Sequence, residues 1–260
     1  MKAIRILLVI LIILFVVSGA ISLPLFFRSF YYAQIDRLGI PESTGYTVEE
    51  SKEAFDEMMD YCMGKTDEFG TGKLKWSDEG KSHFDDCKKL FTLDKVLLVV
   101  SAFGIAACVA FMRAVVNVRR AVGGDEVARD VRRTVGGDEV ARDVRRAVDG
   151  DEVARGVAVE DGRCLRSEIL RAGFLAGLIM LIGGGVLGVL GAMNFDAFFV
   201  KFHHTFFPGK DNWIFDPAKD EIIKILPETF FMNCALLIVS VIVVVSVLLI
   251  VTGLAARRKK

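Results

Sequence analysis

Residues 230–256 read FFMNCALLIVSVIVVVSVLLIVTGLAA and contain no Asp, Glu, Lys or Arg. An α-helix rises about 1.5 Å per residue, so about 20 apolar residues cross a hydrocarbon core about 30 Å thick. In lipid only the segment itself can satisfy its backbone N–H and C=O groups, which selects a helix. A soluble α-helical core would place polar residues on its outer face. The stretch is therefore a membrane span. Three more blocks of the same kind occur, at 6–27, at 96–112 (carried past Arg113 by 114–118) and at 172–193. The expected fold is an all-α integral membrane protein with four transmembrane helices, capped by two helical loops on the outer face.

The Lys and Arg residues near the span ends set the expected orientation. Lys2 and Arg5 precede the first span, Arg113, Arg119 and Arg120 follow the second, Arg166 and Arg171 precede the third, and Arg257, Arg258, Lys259 and Lys260 follow the fourth. The opposite side has fewer: Arg28, Lys88, Lys89, Lys95, Lys201 and Lys224. Both termini are expected to be cytoplasmic in a multi-pass protein of the cell membrane. The chain then divides into span one (1–27), a first outer loop with two helices (28–94), span two (95–118), a cytoplasmic loop (119–166), span three (167–193), an aromatic second outer loop (194–229), span four (230–256) and a basic tail (257–260). Ser18-Gly19-Ala20 resembles a signal-peptide cleavage site, but the apolar run continues through Phe27, so span one is read as an uncleaved anchor.

The cytoplasmic loop repeats every 13 residues: RRAVGGDEVARDV at 119–131, RRTVGGDEVARDV at 132–144 and RRAVDGDEVARGV at 145–157. Acids lead and arginines trail in each copy, an order that suits a helix macrodipole, and the Gly-Gly pairs are expected to break the helix between copies. With no apolar face to bury, the repeats read as a solvated, charge-balanced insert rather than a tether for a partner or lipid headgroup. In the first outer loop, Thr47-Val48-Glu49-Glu50 fits a capping box, followed by Phe55, Met58, Met59 and Cys62 on one helical face. Ser77 is placed to cap a second helix over 78–90. In the second outer loop an aromatic helix is expected over 195–207 and a short one from Asp216-Pro217 to Leu226. Gly173 and Gly177, then Gly184, Gly188 and Ala192, give span three a seam of small residues suited to close helix contact.

Formal net charge is zero and no basic stripe is interleaved with aromatics, so nucleic acid is excluded as a partner. No GxSxG elbow or P-loop glycine pattern occurs. The five cysteines show no CxxC pair; Cys62 and Cys87 both fall outside, where a disulfide between the two loop helices is permitted. All three histidines, His83, His203 and His204, fall on the outer side, the first in one loop and the others in the second. Imidazole is the one side chain whose unperturbed titration lies near neutrality. Asp86 and Cys87 share a helical face with His83, and Asp86 is placed either to fix the imidazole tautomer or to stand as an exposed acid beside Lys88 and Lys89. A zinc site built from His83, His203 or His204 and a carboxylate is the rival, but no HExxH-type spacing supports it and adjacent histidines do not face one metal from one helix side.

The second loop reads Phe202-His203-His204-Thr205-Phe206-Phe207, then Trp213-Ile214-Phe215-Asp216-Pro217, Asp220, Leu226-Pro227-Glu228 and Phe230-Phe231. This resembles the FHxxFF…WxFDPxxDxII…LPExFF signature of the lipoprotein intramolecular transacylase family of bacterial membrane proteins. His83-Phe84-Asp85-Asp86-Cys87-Lys88 is similar to that family's HxxDVK element, with Cys87 where an aliphatic residue is usual, and Asp36-Arg37-Leu38-Gly39-Ile40 is similar to another element after span one. The repeats lengthen a loop that is ordinarily short. The resemblance implies acyl migration within a diacylglyceryl lipoprotein, from an sn-2 ester to the α-amino group of the N-terminal cysteine. It implies His83 and His203 as the catalytic pair. Asp86, His204, Trp213, Asp220 and Arg37 would support the site or bind substrate, and His204 falls on a variable position. The implied partners are the lipoprotein and membrane lipid, with no cofactor or metal. The alternative is a non-enzymatic membrane sensor or assembly module with an exposed loop pair, which has no need of a histidine in each loop.

Overall fold

The computed structural model describes residues 2–134 and 152–258. Among them the chain forms α1 (Lys2–Phe26), α2 (Ser29–Tyr32), α3 (Ile40–Thr44), α4 (Val48–Cys62), α5 (Asp78–Thr134), α6 (Glu152–Met193), α7 (Phe195–Phe206), α8 (Ile222–Ile225) and α9 (Glu228–Arg258). Four of them, α1, α5, α6 and α9, are long and apolar enough to cross a membrane. Val99, Val100 and Phe103 of α5 and Leu236, Val244 and Leu248 of α9 are each more than half exposed. Continuous apolar faces of this kind are aggregation surfaces in water and ordinary lipid contacts in a bilayer. This is an all-α, multi-pass membrane protein.

Contacts divide the chain into two compact units. One comprises Met1–Ile12, Ala102–Gly177 and Leu248–Lys260, and the other Ile13–Ser101 and Leu178–Val247. In each, the small residues of α6 let α9 approach closely. A Cβ added at Gly173 would meet Leu249 at 3.4 Å in the first unit, and one at Gly184 or Gly188 would meet Ile242 or Val239 at 3.2 Å in the second.

The second unit contains both polar loops and a core unlike that of the spans. The α4 capping box forms as its sequence dictates: the Glu50 N–H donates to Thr47 Oγ1 (3.1 Å) and the Thr47 N–H to Glu50 Oε2 (3.0 Å). The helix then buries Phe55, Met58, Met59 and Cys62, each contributing on the order of 1.5–3 kcal/mol relative to exposure. Tyr31 stacks on Phe55 at 4.0 Å, makes a T-shaped contact with Phe230 at 5.3 Å, and donates its hydroxyl to the Ile225 carbonyl at 3.0 Å. One tyrosine thus joins the first loop to the second. Arg28 pairs with Asp56 at 2.9 Å and with Asp60, pinning α4 to the end of the first span. Gly39 makes the turn into α3 at φ +63°, a left-handed conformation that a side chain resists.

Three expectations need correction. The helix capped at Ser77 does not end at residue 90 but runs unbroken as α5 into the span. Residues 91–95 contain neither Gly nor Pro, and their two charges are accommodated: Ser22 Oγ donates to Asp94 at 2.8 Å, and Lys95 Nζ donates to the Met63 carbonyl at 2.8 Å. The same helix passes through Gly123-Gly124 to Thr134. Glycine costs about 1 kcal/mol per position, and extending an existing helix is far easier than nucleating one. The later pairs, Gly136-Gly137 and Asp149-Gly150, lie outside the described residues. Lastly, the stretch after Asp216-Pro217 makes one turn, with Asp216 Oδ1 accepting from the Ala218 N–H, before the short α8. The chain is drawn off helical geometry there because Asp220 and Glu221 are held by the first loop.

Candidate active site

That hold sets the position of His83. Ser77 Oγ accepts from the Gly80 N–H at 3.0 Å, capping α5. Asp220 accepts in turn from the Ser77 N–H (2.8 Å) and hydroxyl (2.8 and 2.9 Å), setting a carboxylate at the positive end of the helix. A Cβ on Gly80 would run into that carboxylate, so the residue is glycine by necessity. Lys75 and Glu221 add two reciprocal hydrogen bonds: the Lys75 N–H donates to Glu221 Oε2 and the Glu221 N–H to the Lys75 carbonyl, both at 2.9 Å. Asp220, a candidate support or substrate ligand, is thus a buried structural clamp between the loops.

One turn along α5, His83 is 6% exposed; on α7, His203 is 7% exposed. Their ring centroids lie 5.8 Å apart at 35°. Phe207 and Phe215 make T-shaped contacts with His83 at 4.9 and 5.5 Å. Trp213 stacks on His203 at 4.5 Å and Phe199 lies against it at 4.2 Å. Trp213 is oriented by its indole N–H, which donates to the Lys210 carbonyl at 3.0 Å. His204 is exposed and meets Trp213 edge-on at 5.6 Å, so it stands behind the indole rather than beside His83. Arg37 is exposed on the turn before α3, and among the described residues no hydrogen bond or ion pair links it to this cluster.

Burial in an aromatic box disfavours imidazolium. It drives the His83 pKa down to about 4, helped by His203 and Lys210 and opposed by Asp86. It also lowers that of His203, against the support of the Phe199 carbonyl. Both rings are therefore neutral at pH 7, each with one N–H and one lone pair. His203 Nδ1 is 2.8 Å from the Phe199 carbonyl, which can only accept. Its proton is on Nδ1 and its lone pair on Nε2. His83 Nε2 is 3.4 Å from Cys87 Sγ, and burial raises the Cys87 pKa well above its ordinary value, so the thiol keeps its proton. A thiol that donates to Nε2 puts the His83 proton on Nδ1. That atom is buried without a hydrogen-bond partner. A buried polar atom left without a partner costs about 1–3 kcal/mol and is a mark of a functional position.

Asp86 makes no hydrogen bond to His83, so of its two readings the tautomer-fixing one does not hold. Its carboxylate takes Lys89 (2.9 Å), Lys210 and Asn212 (3.3 Å). These cations and donors outweigh burial and lower its pKa to about 2. It locks the 208–213 turn onto α5. Lys210 and Asn212 were missed from sequence: they lie in the gap between the FHxxFF and WxFDP elements and carry no local signal. Cys62 and Cys87 are free thiols, Cys62 Sγ directed at the Phe84 carbonyl at 3.9 Å. Among the described residues no group of three His, Cys, Asp or Glu side chains is placed to hold a metal ion.

The family model for the lipoprotein intramolecular transacylase Lit matches residues 6–123 and 159–231. The fold is similar to that of the membrane-integral lipoprotein intramolecular transacylase Lit from Bacillus cereus, with a TM-score of 0.72 and 22% identity over 99% of this chain and 96% of that one. Two further structures of that protein, with a histidine replaced by arginine or by alanine, match with a TM-score of 0.65 and 21% identity, covering 99% of this chain and 92% and 94% of theirs. No curated protein matches the chain.

Proposed function

Since the chain belongs to the lipoprotein intramolecular transacylase family, and is thereby an enzyme acting on lipoproteins, we propose that it transfers an O-linked acyl chain of a diacylglyceryl lipoprotein to the α-amino group of its N-terminal cysteine. His203 is the base of this reaction and His83 the donor to the developing oxyanion. The observation that carries the reading is the pair of buried, neutral imidazoles 5.8 Å apart, one with a free lone pair and the other with a buried ring nitrogen, Nδ1, that has no hydrogen-bond partner.

The amine and the ester belong to one substrate molecule, so the protein need only hold them in contact; effective molarities for such arrangements are large. The amine nitrogen attacks the ester carbonyl carbon and loses its proton to His203 Nε2. The negative charge gathers on the former carbonyl oxygen, where the His83 Nδ1–H is a donor in a water-poor box. As the C–O bond to glycerol breaks, the His203 imidazolium returns the proton to the departing oxygen. An amide and a free hydroxyl result, with no net proton change and no acyl-enzyme. Cys87, protonated and turned to His83, positions that ring rather than acting as a nucleophile. Trp213 and Phe199 hold His203, and Asp86 holds the turn that carries Trp213. The histidine loops lie on the outer face and both termini in the cytoplasm, in keeping with the arginine distribution.

Mass spectrometry of lipoprotein N-terminal peptides, from cells with and without the protein, tests this. N-acylated lyso-type peptide should be present only with it. Diacylglyceryl peptide with a free amine in both would refute the activity.

A further inference from the structure

In the unit formed by Met1–Ile12, Ala102–Gly177 and Leu248–Lys260, a cavity of about 310 Å³ opens between α6 and α9. It is lined by Ser167, Leu170, Arg171, Gly253, Ala256 and Arg257. We infer that this groove is a binding site for the phosphate group of an anionic membrane lipid.

The groove exists because the helices nearly touch beneath it. A Cβ on Gly253 would meet Phe174 Cβ at 2.8 Å and the Leu170 carbonyl at 3.3 Å. The close crossing brings two guanidiniums from different helices to one mouth. Arg171 is the last residue before the apolar run of α6 and Arg257 the first after that of α9, so both sit where hydrocarbon gives way to headgroups. Their charge is not matched locally. Glu168 lies 3.2 Å from Arg171 Nη1 and 3.5 Å from Arg5 Nε, so one carboxylate serves two cations. Arg257 has its guanidinium carbon over the Phe174 ring, 4.3 Å from the centroid. That packing holds the group in place and leaves its N–H edge available. Guanidinium forks match phosphate oxygens two at a time, and the wall of Leu170 and Ala256 leads into the apolar surface where acyl chains would lie. Basic pockets between membrane helices bind lipid headgroups on this logic. Inorganic phosphate has the same chemistry but lacks the chains.

The test uses the full-length protein, delipidated in detergent, with bound phosphatidylglycerol counted by native mass spectrometry. Arg171→Gln/Arg257→Gln should lower binding roughly ten-fold, the scale of lost charge-assisted hydrogen bonds. Arg166→Gln/Arg258→Gln, which removes the same charge from the same unit, should change it less than about two-fold. Equal loss in both pairs would mean diffuse attraction and overturn the site. Full displacement of the lipid by millimolar inorganic phosphate would also overturn it, in favour of free phosphate. Should the glutamine pair not fold, Arg171→Lys/Arg257→Lys keeps the charge and removes the forks. Weaker binding supports the site, and unchanged binding contradicts it.

Discussion

The histidine pair and the arginine pair are each drawn from two helices far apart in sequence, yet their surroundings give them opposite chemistries. His83 and His203 are sealed by Phe199, Phe207, Trp213 and Phe215, and burial strips them of charge. Arg171 and Arg257 are exposed, one beside a shared carboxylate and the other over a ring. A neutral, desolvated nitrogen moves protons, whereas a charged, accessible one recognises anions. The contrast also shows in the backing. The imidazoles are held by Asp86, Asp220 and a reciprocal Lys75–Glu221 link, while the arginine groove depends mainly on a close approach at Gly253.

Removing the nitrogens is the severest way to break the comparison. His203→Ala should reduce transacylation by about 10²–10⁴-fold, the range for a lost general base, and His83→Ala by about 10²–10³-fold, the range for a lost oxyanion donor. His204→Ala should leave the rate within about two- to three-fold, since the ring stands behind Trp213. Rates come from purified protein and a diacylglyceryl lipopeptide. Equal loss for His203 and His204 would show that position in the box is not what matters.

A smaller effect is expected from loosening the supports. Asp86→Ala strands Lys210 and Asn212 and should lower both activity and melting temperature, by about 1.5–3 kcal/mol in stability. Gly80→Ala should cost about 1–3 kcal/mol by driving a methyl into Asp220. Detergent-solubilised melting curves measure both. A stable Gly80→Ala protein would mean that the clamp yields without consequence.

The supports also mark the limit of what sequence reveals. The four spans are legible because lipid imposes length and lack of charge on each segment independently, so no partner need be known. The α4 capping box and the aromatic helix α7 are legible for the same reason, being local. The histidines stood out by their rarity and their motif. Asp86 was singled out because its backbone position at i,i+3 from His83 suits the imidazole, yet Lys210 and Asn212 arrive from over 120 residues away and take it. The continuity of α5 likewise depends on Ser22 receiving Asp94, a contact that no window of sequence contains.

A gentler test is acidification. The His83 pKa falls from an ordinary 6.5 to about 4 on folding. As pH drops below 6.5 the unfolded chain takes up a proton that the folded site refuses. Stability should therefore be fully present above that value and decline progressively down to about pH 4. Replacing His83 with Gln should flatten the melting temperature across that window. An unchanged slope would show that the ring is not held neutral by burial.

The smallest effect belongs to the other member of the comparison: Arg171→Gln should leave the transacylation rate within about two-fold, since the residue has no part in proton transfer.

The claim at the centre is that two neutral imidazoles, one from each loop, perform the acyl shift. Its most direct test is the N-terminal lipopeptide from cells expressing wild-type, His83→Ala or His203→Ala protein at matched membrane levels, read by mass spectrometry. The account predicts N-acylated lyso-type peptide with the wild type and diacylglyceryl peptide with a free amine in both variants. Wild-type amounts of the N-acyl product in either variant would contradict it.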